Sequence, residues 1–101
     1  MKTNRLYIIT RKDLDSGLKL AQACHAAFEL SREVKDIGNN PYMIVLEVSN
    51  EDSLKLTQMV LTKIVKVVSF REPDLGNQLT SLAFVGNEKT NLITKEITLA
   101  S

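Results

Sequence analysis

The chain has 101 residues, 44% of them apolar and 25% charged, which is one domain's worth of an ordinary globular protein with a modest core. A net charge of +1 announces no nucleic-acid binder, and it excludes none, because a local basic patch can dominate one face. One cysteine rules out an internal disulfide and argues against a cysteine–histidine zinc site; no apolar run is long enough for a bilayer, and Tyr7-Ile8-Ile9 is too short for a signal-peptide core. The expectation is a single cytoplasmic domain over residues 1–101, with no membrane partner.

Arg5–Thr10 is short, apolar and β-branched, as a first strand should be. A polar loop follows, and Asp15 or Ser16 can cap the next helix. That helix is expected from about Gly17 to about Val34. Leu20, Cys24, Ala27 and Phe28 have the spacing of one buried face, with Leu18, Ala21 and His25 as an adjacent stripe. Asp36-Ile37-Gly38-Asn39-Asn40-Pro41 is the expected stop.

Tyr42–Val48 is nearly continuous apolar sequence and reads as a central strand covered on both faces. Ser49 or Asn50 caps a second helix that continues through Leu54, Leu56, Met59, Val60 and Leu61. Ile64–Phe70 and Leu79–Val85 read as strands three and four, and Asn87–Ala100 allows a short helix. The order β-α-β-α-β-β predicts an α/β fold: a small mixed four-stranded sheet flanked by helices. Strands separated by helices should pair in parallel, and the last two should form a hairpin.

Two polar clusters stand out. The first lies in S-G-L-K-L-A-Q-A-C-H-A-A, residues 16 to 27, with the only histidine, His25, the only cysteine, Cys24, and Gln22 one turn earlier. Alanines around them allow close approach of other backbone, so a polar side chain could sit on the floor of a cleft. His25 is either a hydrogen-bonded structural residue or a proton shuttle that works near neutral pH. Consecutive helical residues point about 100° apart, which argues against a Cys24–His25 dyad; Cys24 is expected in the core. The second cluster is Arg71–Thr80, R-E-P-D-L-G-N-Q-L-T. Its Asp74 reads from this fragment as plain turn chemistry, and the density of polar residues around it raises the alternative, a working carboxylate. Arg11, Lys12 and Lys19 near the first helix could hold phosphate. Neither a G-x-x-x-x-G-K-[ST] loop nor a G-x-G-x-x-G motif is present.

Together these segments resemble the type 2 peptidyl-tRNA hydrolase family over most of the chain. Tyr7-Ile8-Ile9-Thr10-Arg11-Lys12-Asp13-Leu14 looks like its first strand and R-x-D-L turn, and Gln22-Ala23-Cys24-His25-Ala26-Ala27 is similar to its Q-C-S-H-A-A. Asp74-Leu75-Gly76 is similar to its D-A-G, and Thr80-Ser81-Leu82-Ala83 to its T-x-L-A. The resemblance implies hydrolysis of the peptide–tRNA ester by water, with neither a metal nor an organic cofactor, in a homodimer. It implies catalytic roles for His25, Asp74, Thr80 and Gln22, and tRNA contacts from Lys19, Arg11, Lys12 and Arg71. Two departures stand against it. The family's lysine, four residues before the glutamine, is Leu18 here and the lysine comes at 19; the loop from Asp74 to Thr80 is also short. They favour an alternative, a non-catalytic module for RNA or protein on the same fold. A hydrolase for a related small ester or amide is a third reading.

Overall fold

The structure, a computed structural model, describes residues 5–34 and 42–99, with Thr98 and Leu99 as backbone. In chain order come β1 (Arg5–Arg11), α1 (Ser16–Glu33), β2 (Tyr42–Val48), α2 (Glu51–Leu61) and β3 (Val68–Glu72). A 3₁₀ turn (Pro73–Leu75), β4 (Gln78–Val85), α3 (Glu88–Thr94) and β5 (Thr98–Leu99) complete it. The expected stop at residues 36–41 lies outside the described residues.

This is the expected α/β domain, a mixed four-stranded sheet in the order β3-β4-β1-β2 flanked by three helices. The two-residue β5 extends it at the β2 edge. β1 and β2 run parallel, from Arg5 beside Tyr42 to Arg11 beside Val48. β3 and β4 form the expected antiparallel hairpin. β2 and β3 do not pair, although a helix joins them. β4 fills the other edge of β1, running antiparallel from Leu6 beside Val85 to Thr10 beside Ser81. Burial explains the choice. β4 is buried almost throughout and needs a central place, whereas β3 alternates between covered and wet positions and suits an edge.

β1 serves two cores at once. Leu6 and Ile8 face α1 with Ala23, Ala26, Leu30, Val68 and Ala83. Tyr7 and Ile9 face the opposite layer with Leu54, Leu61, Leu82 and Phe84, where Ile93 of α3 also packs. β3 begins at Val68 rather than Ile64, because the N–H groups of Ile64 and Val65 still bond the carbonyl of Leu61 and prolong the end of α2 as turns. Asn50 is the α2 cap, accepting from the Ser53 N–H at 3.0 Å. Asp15 occupies the cap position of α1 without a side-chain bond.

The apolar faces assigned to the helices need correction. Leu20 and Phe28 are 68% and 60% exposed, and Cys24 is exposed rather than in the core. The buried positions of α1 are Gln22, Ala23, Ala26 and Leu30. Small alanines bring the helix close to the sheet, and the Gln22 amide finds partners only on that side. In α2, Leu54 and Leu61 are buried while Leu56, Met59 and Val60 are exposed. No helix among the described residues is long and apolar enough to cross a membrane.

Gly86 shows how tight the second layer is. A Cβ there would fall 2.5 Å from Cε2 and 2.9 Å from Cδ2 of Tyr7. That ring is buried, stacks on Phe84 at 5.3 Å between centroids, and is tethered by its hydroxyl, which donates to Asn91 at 2.8 Å. Gly86→Ala should therefore destabilise by about 1–3 kcal/mol, the cost of overpacking. Urea denaturation beside Gly17→Ala, where a Cβ meets nothing within 4 Å, checks it. Equal midpoints for Gly86→Ala and the parent would show that the ring has room to move.

Candidate functional site

The site forms where α1 crosses the β3–β4 hairpin. A register shift in that hairpin sets it up. Phe70 lies beside Ser81, but Arg71 lies beside Leu79, so Thr80 is an extra residue in β4. A bulge of this kind re-aims side chains. Consecutive residues Thr80 and Ser81 both reach α1: the Thr80 hydroxyl donates to Gln22 Oε1 at 2.8 Å, and the Ser81 hydroxyl to the Gln22 carbonyl at 2.8 Å. The Thr80 hydroxyl also lies 3.1 Å from the Phe70 carbonyl.

These bonds fix the Gln22 amide. With Oε1 facing Thr80, Nε2 donates to Glu72 Oε2 at 2.8 Å. Gln22 is 2% exposed and Thr80 fully buried, so the pair is shielded from competing water. The other oxygen of Glu72 accepts from the Asp74 N–H at 3.2 Å. The Gln22 amide and then the Asp74 N–H hold the Glu72 carboxyl below the usual carboxylate range, and the nearby charge of His25 adds to this. His25 is exposed and lies flat on the Phe70 ring, 4.5 Å between centroids and 7° between planes. Stacking engages the ring face and leaves both nitrogens at the ring edge.

The structure thus brings together His25, Gln22 and Thr80, three residues proposed from sequence. Asp74 joins them through its backbone. Its exposed carboxylate makes no hydrogen bond or ion pair among the described residues. The carboxylate in direct contact with Gln22 is Glu72, which the sequence reading did not single out. One signal was there: Leu79 and Leu82 sit three apart in a strand that should alternate, with two hydroxyl residues between them. That spacing marks a bulge, and a bulge turns the neighbouring strand end, with Glu72, toward the helix.

The proposed phosphate contacts divide. Arg11 is 5% exposed. It grips Asp13 with Nε at 2.9 Å and a terminal nitrogen at 2.7 Å, and reaches Gln78 and the Leu79 carbonyl at 2.9 and 3.0 Å. Asp13 is accordingly held below the usual carboxylate range, first by its hydrogen bonds from Arg11. Lys19 Nζ lies 2.8 Å from Glu47, which is itself buried. Both cations are spent on internal pairs. Lys12 and Arg71 are exposed, Arg71 donating to the Asn77 carbonyl at 3.1 Å. Next to this rim, Glu51 accepts from the Leu79 N–H at 2.8 Å, and that bond, before Lys55 and Arg11, lowers its pKa. Among the described residues, no three of His, Cys, Asp and Glu converge as metal ligands would.

No protein-family model matches the chain, and no curated protein matches it. Among solved structures, a protein of unknown function from Agrobacterium tumefaciens shares the fold. The two superpose over 100% of both chains with a TM-score of 0.74 at 18% identity. At that identity the likeness speaks for the architecture alone.

Proposed function

We propose that the chain is a hydrolase that cleaves the ester between peptide and tRNA by direct attack of water, acting as a cytoplasmic homodimer. The observation that carries this reading is the Thr80–Gln22–Glu72 hydrogen-bond chain, buried at Thr80 and Gln22 and reaching the surface at Glu72, near the exposed His25. It joins two segments about fifty or sixty residues apart through polar groups at the point where α1 crosses the hairpin.

In the proposal His25 positions the ester or assists the leaving ribose oxygen. Asp74, whose carboxylate is exposed, orients and partly deprotonates the water. Gln22 has one amide N–H beyond its bond to Glu72 and donates it to the developing oxyanion, where a fixed donor helps most. Thr80 acts through Gln22, holding its amide the right way round. Glu72 keeps Gln22 in place and sets a negative charge near His25. Lys12 and Arg71 face the tRNA; Arg11 and Lys19, neutralised by Asp13 and Glu47, shape the rim instead of holding phosphate. No covalent intermediate and no cofactor enters.

The test is hydrolysis of purified peptidyl-tRNA. The parent should release peptide and tRNA, and His25→Ala and Asp74→Asn should each lower turnover at least tenfold with melting temperatures close to the parent's. Full rates in both variants would remove the assigned roles. The lysine displaced to 19 and the short loop from Asp74 to Thr80 favour a second reading, a non-catalytic RNA- or protein-binding module. Filter binding run beside hydrolysis separates the two: retention of tRNA without turnover selects the module. A panel of small esters and amides tests the third, a hydrolase without tRNA specificity.

A further inference from the structure

On the side of the sheet away from α1, a hollow of about 250 Å³ opens between the start of β1 and the end of α3. Its apolar walls are Ile44, Leu46 and Ile97, and Arg5, Asn91 and Lys95 border it with polar groups. Leu46 is buried, Ile44, Ile97 and Asn91 are half-buried, and the two cations are exposed. The spacing of the chain assembles them. Arg5 and Tyr7 alternate onto one face of β1, and Ile44 and Leu46 onto the same face of the neighbouring β2. Asn91 and Lys95 are four apart at the end of α3 and share one side of it.

The uncommitted polar groups here are donors. The Tyr7 hydroxyl, in a residue only 3% exposed, donates to Asn91 Oδ1 at 2.8 Å. That bond turns the Asn91 carboxamide, and its Nδ2 hydrogens have no protein acceptor among the described residues. The Thr94 hydroxyl is occupied by the Asn91 carbonyl at 3.3 Å. Arg5 and Lys95 make no ion pair among the described residues, and no carboxylate of those residues lines the hollow. The fold treats its inward cations differently, giving Asp13 to Arg11 and Glu47 to Lys19. A lysine in a last helical turn ordinarily serves bare carbonyls. At the end of α3 the carbonyls of Asn91, Ile93 and Thr94 already accept from the N–H groups of Lys95, Glu96 and Ile97, so the Lys95 ammonium has no such duty. Two like charges beside one small space repel, and an anion between them relieves that repulsion.

We propose that this hollow binds a small organic anion, its oxyanion head held by Arg5, Lys95 and the Asn91 amide and its short apolar body lying on Ile44, Leu46 and Ile97. A guanidinium fork and an ammonium serve a carboxylate or a phosphate head alike. The space is below the about 300–1,000 Å³ of sites for drug-sized ligands, so the body has only a few carbon atoms. A nucleic-acid backbone would meet the cations and leave the apolar walls unused. The site is separate from His25 and Gln22, which lie on the α1 side of the sheet, and it stands whether or not the chain is a hydrolase.

Nuclear magnetic resonance titration of the full chain, labelled with nitrogen-15, tests this with acetate, butyrate, inorganic phosphate and butyl phosphate, and with butylammonium as the cationic control. The anions should shift the Asn91 side-chain amide signals saturably, with dissociation constants in roughly the millimolar range. The butyl compounds should bind roughly threefold or more tighter than acetate and phosphate, because their added methylenes leave water. The tighter of butyrate and butyl phosphate names the preferred head. Arg5→Gln and Lys95→Gln should each weaken binding roughly tenfold while circular dichroism stays that of the parent. Asn91→Asp keeps an acceptor for Tyr7 and replaces the N–H donors with a repelling charge, so it should weaken binding at least as much. Absence of saturable shifts with every anion overturns the site. So does binding that survives all three substitutions, or butylammonium binding as well as butyrate. Anions that gain nothing from the butyl group overturn the organic ligand.

Discussion

Gln22→Leu should lower the proposed hydrolysis by roughly 10²–10³, the usual loss when one fixed oxyanion donor is removed. The substitution keeps the volume of a nearly fully buried side chain and removes only its polar ends. Thr80 can still donate to the Phe70 carbonyl at 3.1 Å, so its hydroxyl is not stranded. Glu72 loses its strongest partner and is free to turn toward water. Folding stability should therefore fall by only about 1–3 kcal/mol, within the cost of disturbing one buried hydrogen-bond group. Gln22→Glu sharpens the test. A carboxylate can accept from Thr80 but cannot donate to Glu72, so two acids would face each other. Such a pair shares a proton and one member titrates high. In that variant stability should be lowest near neutral pH and should recover as the pH falls far enough to protonate one acid. Single-turnover kinetics and urea midpoints across pH read both effects. A Gln22→Leu protein with parental rate would remove Gln22 from the chemistry, and a pH-independent Gln22→Glu protein would show that Glu72 is not held where the amide now holds it.

The parts of the fold that follow from local pattern were legible. β2 could be read as a strand because seven nearly unbroken apolar residues bounded by turn signals have strand length, but the cover expected on both faces is only partial: Tyr42 and Met43 are exposed and only Leu46 and Glu47 are buried. The hairpin could be read because Pro73 and Gly76 punctuate it, and Gly76 does adopt a left-handed conformation with φ of 64°. What failed was the face of α1. Periodicity says which residues share a side and not which side meets the sheet. Two stripes competed, one of Leu20, Cys24 and Phe28, one of Gln22, Ala23 and Ala26. Hydrophobicity favours the first. The second won because alanines permit close packing and because Gln22 could be satisfied there by Thr80, Ser81 and Glu72, partners about fifty or sixty residues away. No local rule sees such partners. The same blindness hid Glu72, whose role exists only once the bulge at Thr80 has turned the hairpin. It also hid the fate of Arg11 and Lys19, which read as surface cations until Asp13 and Glu47 are placed beside them.

Arg11 gives the largest expected effect on folding. Arg11→Met should destabilise by about 2–4 kcal/mol, toward the lower part of what breaking a buried ion pair costs, because Asp13 keeps 42% of its side chain in water. The guanidinium alone can serve Asp13, Gln78 and the Leu79 carbonyl together, since its five N–H donors form a rigid fork. Arg11→Lys offers a single ammonium to three acceptors and should recover only part of the loss. The pH dependence separates this structural role from phosphate binding. Arg11 lowers the folded pKa of Asp13. A depressed carboxyl adds stability that is present above its unfolded pKa, about 3.9 for aspartate, and is lost as pH falls through the folded value. The parent should hold its stability from neutral pH down to that range and lose it below. Arg11→Met has already lost the Asp13 contribution, so the gap between the two should be widest near neutral pH and should narrow in acid. Thermal melts from neutral pH into the acid range measure it. If Arg11 instead serves tRNA directly, the variant should melt like the parent at every pH and lose only affinity, with a shallower dependence on salt.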